Sequence, residues 1–188
     1  ELLTSTNSDK DSKRFRVVNV NTLGNENNLR IISPIDPDLV IIQQAPEGEI
    51  LEEFATNLFG DDRIVITNRR NAVLARGELV NTLGETDSAT LHVRMLTTEG
   101  FLIDVTNLDL DPYLPNPKLW QQRVWRQLTQ TRIENRRLIR NYLGENQLTR
   151  GTIGRVVSGG FGTPPGDDVF RPLESAQLVD SFSASGIG

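Results

Sequence analysis

RIVITNRRNAVLARGELVNTLGETDSATLHVRMLTTEGFLIDVTNL, residues 63–108, alternates strand-forming runs with turns. Four apolar, β-branched runs, RIVITN, NAVLARGELV, ATLHVRML and FLIDVTNL, are separated by turn formers at 68–71, 84–88 and 99–100. Runs of this kind bounded by Asn, Gly and Ser are strand signals, and short connections make successive strands antiparallel. Leu91, Val93 and Met95 alternate with His92 and Arg94, the period of a strand with two unlike faces. The segment predicts a meander.

Toward the N-terminus, FRVVNV (15–20), LRIISPI (29–35) and LVIIQQ (39–44) read as three further strands. Pro46 and the acids Glu47, Glu49, Glu52 and Glu53 accompany apolar positions Ile50, Leu51, Phe54 and Leu58, closed by Gly60. Proline and acids at the start and glycine at the end predict a short amphipathic helix. Residues 1–14 are polar after Leu3 and carry no apolar period, so they read as a flexible arm. They lack the basic start and apolar core of a signal peptide, although a leader removed before Glu1 stays open. VNTLG at 20–24 recurs at 80–84, and turn formation by Asn and Gly explains the echo better than a duplicated hairpin.

Toward the C-terminus, prolines at 112, 115 and 117 make residues 111–117 a stiff connector. Residues 118–143 then contain neither Gly nor Pro, and Gly144 supplies a C-cap, which predicts a long helix. From Gly151 the chain is rich in glycine and proline with scattered apolar residues, and reads as an extended arm. The expected class is α+β: a mostly antiparallel sheet of about 5 to 7 strands with one short helix, then the long amphipathic helix and the C-terminal arm. The corresponding boundaries are 1–14, 15–110, 111–117, 118–150 and 151–188.

Of the 188 residues, 20 are Lys or Arg and 25 are Asp or Glu, a formal net charge of −5, with one histidine and no cysteine. Absent sulfur excludes disulfide scaffolds, thiol catalysis, Cys-ligated zinc and iron–sulfur clusters. No run reaches the roughly 18 apolar residues of a membrane span, so no membrane insertion is expected. The expected location is soluble, in the cytoplasm or inside an assembled particle. The charge is unevenly spread: residues 1–116 hold 10 bases and 19 acids, residues 117–155 hold 9 and 2, and residues 156–188 hold 1 and 4.

On a helical wheel Trp120, Val124, Trp125, Leu128, Leu138, Ile139, Tyr142 and Leu143 form an apolar stripe. Arg123, Arg126, Arg132, Arg136, Arg137 and Arg140 occupy the other half. Guanidinium forks suit carboxylates and phosphates alike. Nucleic acid is disfavoured at this stage by the net negative charge and by an arginine face without an aromatic residue for stacking. Acidic protein surface is the favoured partner.

Catalytic patterns are sparse. His92 is alone, in an alternating run, and reads as a surface or rim residue; no G-x-S-x-G context accompanies it. Asp104, Asp109 and Asp111, with Asp61 and Asp62, are the best oxygen-donor set for Mg²⁺ or Ca²⁺, but their spacing matches no EF-hand loop. The glycines of 151–162 are followed by Pro164 and Pro165, which forbids the helix a phosphate loop needs. The sequence therefore points to a non-enzymatic structural or assembly subunit of a larger particle, with a virion component as the most concrete version. No cofactor and no metal is expected. Its partners would be other protein subunits, held by the six arginines and by Phe161, Phe170 and Phe182. The alternative is a nucleic-acid-binding module using the arginine face of 118–143, and the third reading is a divalent-metal-dependent hydrolase.

Overall fold

The computed structural model describes residues 15–68, 70–82, 90–110, 121–145, 151–163 and 167–181. Among these, the strands β1 (Val17–Asn21), β2 (Leu39–Gln43), β3 (Arg63–Thr67), β4 (Asn71–Thr82), β5 (Thr90–Thr97), β6 (Leu102–Asp109) and β7 (Thr152–Gly160) form one sheet. Its order is β1-β2-β4-β5-β6-β7, with β3 also paired to β4. The β1–β2 and β6–β7 pairs are parallel and the rest antiparallel, as the α+β reading requires.

The twelve-residue β4 lets this sheet fold over on itself. Its first half lies between β2 and β3, with Ala75 opposite both Leu39 and Ile64. From Gly77 onward it pairs with β5 instead. Gly77 has φ +140°, and a Cβ there would collide with the Leu96 carbonyl, so only glycine fits this close approach. A register shift between Leu79 and Asn81 adds a bulge, which bends and twists a strand.

The two halves then face each other across one apolar core. Leu39, Ile41, Ile64, Val73 and Ala75 come from one half; Leu91, Val93, Met95, Ile103 and Val105 come from the other. Helix α1 (Gly48–Phe59) covers the outer face of the first half, packing Leu51, Ala55 and Phe59 at i, i+4 and i+8 against Val40, Ile42 and Leu74. Helix α2 (Gln122–Glu145) covers the second half, where Ile139 joins Leu108, Leu110 and Val169. Val169 lies in a 3-10 turn, Asp168–Phe170, that leads into α3 (Arg171–Ser175). The result is four layers, helix, sheet, sheet and helix, each apolar face covered by the next.

Two expectations change in the structure, the strand at 29–35 and the extended arm at 152–160. Residues 29–35 are not a strand: Glu26–Leu29 and Ser33–Ile35 are 3-10 turns, with Leu29 and Ile32 buried and Ile31 exposed. Burial at a spacing of three, with Pro34 unable to donate to a ladder, explains the difference. The two VNTLG copies are also unlike, since β1 leads into a parallel crossover and β4 into an antiparallel partner. Over Thr152–Gly160 the extended C-terminal segment lies in the sheet itself, alongside β6. Gly159, at φ +136°, allows this, because a Cβ there would run into the Leu108 backbone. The N-terminal arm (1–14), the connector (111–117) and Phe182 fall outside the described residues.

His92 is not a rim residue. It points away from the inter-sheet core, but α2 covers that face, leaving it 2% exposed with the Tyr142 ring 4.9 Å away. Burial lowers its pKa from 6.5 to about 4, the Asp104 charge opposing the shift and Arg155 and Arg94 adding to it. A depressed histidine contributes stability that is complete above the unfolded value and lost as pH falls toward the folded one. Between pH 7 and 5 this group alone should remove about 2 kcal/mol. Urea denaturation at both pH values should show the loss in the wild type and a smaller one in His92→Leu. Equal losses in the two proteins would assign the effect elsewhere.

Candidate functional site

Strand alternation carries the inter-sheet core to a polar end. β2 sends Leu39, Ile41 and then Gln43 inward; β6 sends Ile103, Val105, Asn107 and Asp109; β4 approaches through Val73 after Asn71. Asn19 of β1 completes the set. At this end the core is built of amides.

Gln43 and Asn107 join the two halves of the sheet. The Gln43 Nε2 donates to Asn107 Oδ1 at 2.7 Å and to Asn19 Oδ1 at 2.8 Å. The Asn107 Nδ2 donates to the carbonyls of Ile42 (2.7 Å) and Ala72 (3.0 Å). Asn71, fully buried, has no hydrogen-bond partner for its side-chain nitrogen or oxygen among the described residues. A buried amide in that condition is costly and is ordinarily met by water or ligand. Nearer the mouth, Asp109 is 7% exposed and stands 3.0 Å from Nη2 of the half-exposed Arg70. Gly160 faces it across the β6–β7 pair and leaves the space open.

The arginine helix divides in two. Arg132 reaches Asp167 and Asp168 at 3.0 Å, and Arg136 reaches Asp168 at 2.6 Å. Burial pushes the Asp167 carboxyl up, but bonds from the Val169 N–H and Arg132 outweigh it and hold the group below its usual range. Arg123, Arg126, Arg137 and Arg140 are exposed and make no ion pair among the described residues. The expected apolar stripe is also shifted, with Val124, Asn135 and Ile139 buried while Leu138 and Trp125 are exposed, Trp125 by 52%. An aromatic surface is thus available beside the arginines. Phe161 and Phe170, expected to anchor on a partner, contact each other instead, with ring centroids 5.1 Å apart.

Helix α2 reaches past the amide end. Tyr142 lies against His92, which pairs with Thr106, whereas Ile139 belongs with Leu108 and Leu110 at the C-terminal end of β6. The helix therefore runs antiparallel to β6. At 1.5 Å per residue, Val124 lies roughly 22 Å beyond Ile139 in that direction.

No protein-family model matches the chain, and no curated protein matches it by sequence. Solved structures do match in fold. The chain resembles D. rerio TDP2 complexed with single strand DNA product (TM-score 0.55, 8% identity, 90% of this chain and 67% of that one). It also resembles ANGEL2, a 2′,3′-cyclic phosphatase (0.52, 17%, 79% and 46%). A third match is the endonuclease domain of TRAS1, a telomere-specific non-LTR retrotransposon (0.51, 12%, 86% and 70%). At these identities the likeness is one of fold. It overturns the expectation of a non-enzymatic structural subunit or virion component, because the fold's neighbours are a phosphatase, an endonuclease and a protein bound to a DNA product. It lends no support to protein subunits as partners. Among the described residues no helix is long and apolar enough to cross a membrane.

Phosphodiester hydrolysis often uses divalent cations held by carboxylates. The described residues do not fit one. No group of three His, Asp or Glu side chains gathers among the described residues, and the cleft's carboxylate already faces a guanidinium. The expected aspartate set separates, since Asp104 and Asp109 project from opposite faces of β6. Asp104 is held by both arms of Arg94, at 2.7 and 3.0 Å; Asp61 and Asp62 lie in the turn after α1, and Asp111 is outside the described residues. The amide cluster was legible only as isolated strand Asn and Gln residues, whose meeting depends on the sheet folding over.

Gln43→Leu removes the donor that serves both Asn19 and Asn107, and should cost about 3 kcal/mol in chemical denaturation. A loss below about 1 kcal/mol would show that the amide bridge is dispensable. Adding about 10 mM Mg²⁺ should leave the thermal midpoint unchanged, as no site is filled. A rise of several degrees that disappears in Asp109→Asn would reverse this reading of the cleft.

Proposed function

We propose that this chain binds single-stranded nucleic acid along α2 and receives a phosphodiester of that strand in the amide-lined cleft. The observation that carries the reading is the exposed row of Arg123, Arg126, Arg137 and Arg140, without acid partners among the described residues, on a helix that extends past the cleft. Phosphate contacts by such a row supply affinity without regard to sequence, and exposed Trp125 offers a face on which a base stacks. Arg70 at the mouth is placed to meet phosphate oxygens. The likeness in fold to a protein bound to a DNA product supports the same ligand class.

Binding of a labelled oligothymidylate should follow salt with a slope near −3, from four contacts at about −0.7 each. Affinity should fall roughly 50-fold between about 50 and 200 mM salt. Arg126→Ala with Arg137→Ala should halve the slope. Fluorescence anisotropy that detects no binding at low salt would end this proposal.

The likeness in fold to a phosphatase and an endonuclease favours a second step, hydrolysis of the bound ester. Asp109 is the group that can accept a proton from the attacking nucleophile, and Arg70 the cation that can face developing charge. End-labelled DNA and RNA should be shortened in the presence of EDTA and left intact by Asp109→Asn. Intact substrate with the wild type, with and without Mg²⁺ or Mn²⁺, would remove the hydrolytic step and leave binding to be judged by anisotropy.

A further inference from the structure

The groove between α2 and α3 brings together three arginines that the cleft does not use. It is lined by Arg136, Arg140 and Leu143 on one side and by Arg171, Pro172 and Ser175 on the other, with a volume of about 350 Å³. Asp168, the carboxylate nearest this wall of α2, is spent on Arg132 and Arg136. Arg140 and Arg171 make no ion pair among the described residues and are exposed. Like charges held across one opening repel unless an anion lies between them, and guanidinium forks match the oxygens of a phosphate. Pro172 is buried and Arg171 shares its backbone carbonyl with the Ser175 hydroxyl, so the Arg171 side chain has no visible part in holding α3.

The geometry points to a phosphate-binding site in this groove, formed by Arg136, Arg140 and Arg171. Arg140 belongs both to the groove and to the exposed row, so the phosphate bound here is one carried by the strand that follows the row. That assignment of source rests on the proposed nucleic-acid reading; the anion site itself does not. From Arg123 to Arg140 the helix rises about 25 Å, a length covered by four or five extended nucleotides, with the groove at one end.

Two ligands separate the claims. Inorganic phosphate, titrated into ¹⁵N-labelled full-length protein, should shift the amides of Arg171 and its neighbours in α3, and Arg171→Gln should weaken that response at least fivefold. In oligothymidylate binding, where this phosphate is the one already counted for Arg140, the same variant should weaken affinity at low salt at least threefold and make the salt slope shallower. Phosphate shifts that are absent from α3, or unchanged in Arg171→Gln, would overturn the groove even if the oligonucleotide binds. Phosphate binding that depends on Arg171, together with no oligonucleotide binding, would establish the anion site and refute the strand as its source. Glu174, exposed on α3, supplies a control: Glu174→Gln should leave oligonucleotide binding unchanged or tighter, and a loss like that of Arg171→Gln would assign the effect to a distorted α3.

Discussion

The hydrogen bond from Gln43 to Asn107 ties one half of a folded sheet to the other, 64 positions apart in the chain. Everything at the polar end of the sandwich depends on it. Apolar side chains hold the halves together from Leu39 to Val105 and stop short of the polar end. Amides replace them, and Gln43, Asn19 and Asn107 satisfy one another, since a buried amide left unpaired is costly. Asn107 does so by reaching the Ile42 and Ala72 carbonyls, which places one side chain of the second half against two paired strands of the first. The register of β6 is thereby fixed, and with it the inward direction of Asp109 two residues on.

The sheet's strands were legible because their signal is local. RIVITN, NAVLARGELV, ATLHVRML and FLIDVTNL carry β-branched runs with their own turns; β3 falls within the first, and β4, β5 and β6 outrun theirs by only one or two residues. The amphipathic pattern of residues 48–59 was equally plain. What sequence could not supply was how one sheet closes on itself. Gly77 marks the bend, yet in sequence it is one glycine among 15, and only the nearby Leu96 carbonyl shows why it is needed. His92 was misread for the same reason: its alternation is correct, but whether the outer face meets water or a helix depends on where α2 docks. The strand in 152–160 was hidden by its glycines, which look like a flexible arm until the parallel partner β6 is in place.

The arginine helix shows the limit of a wheel. Six arginines share a broad face, but Asp167 and Asp168 come from a segment 30 or more residues later and claim the two on its flank. Those ion pairs are partly exposed, so each is worth little to stability. Their consequence is spatial. By occupying Arg132 and Arg136 they hold the turn at Asp168–Phe170 against α2, which brings α3 and Arg171 to the helix's edge. The wheel's apolar stripe failed as well, since it placed Trp125 in the core, whereas in that turn Val124 is buried and Trp125 is exposed.

A net charge of −5 argues against an anionic ligand only if the charge is spread evenly. Screening confines surface electrostatics to about 8–10 Å at ordinary salt, so a phosphate on α2 senses the nearest guanidinium groups far more than acids on a distant sheet. The cleft obeys the same local rule. A pocket of bare carboxylates would repel a phosphodiester and would need cations to admit it. Here Arg70 offsets the charge of Asp109, and the other described groups are neutral amides that donate as well as accept. On the proposed reading, such a site admits the anion directly, with the strand guided by the exposed arginines.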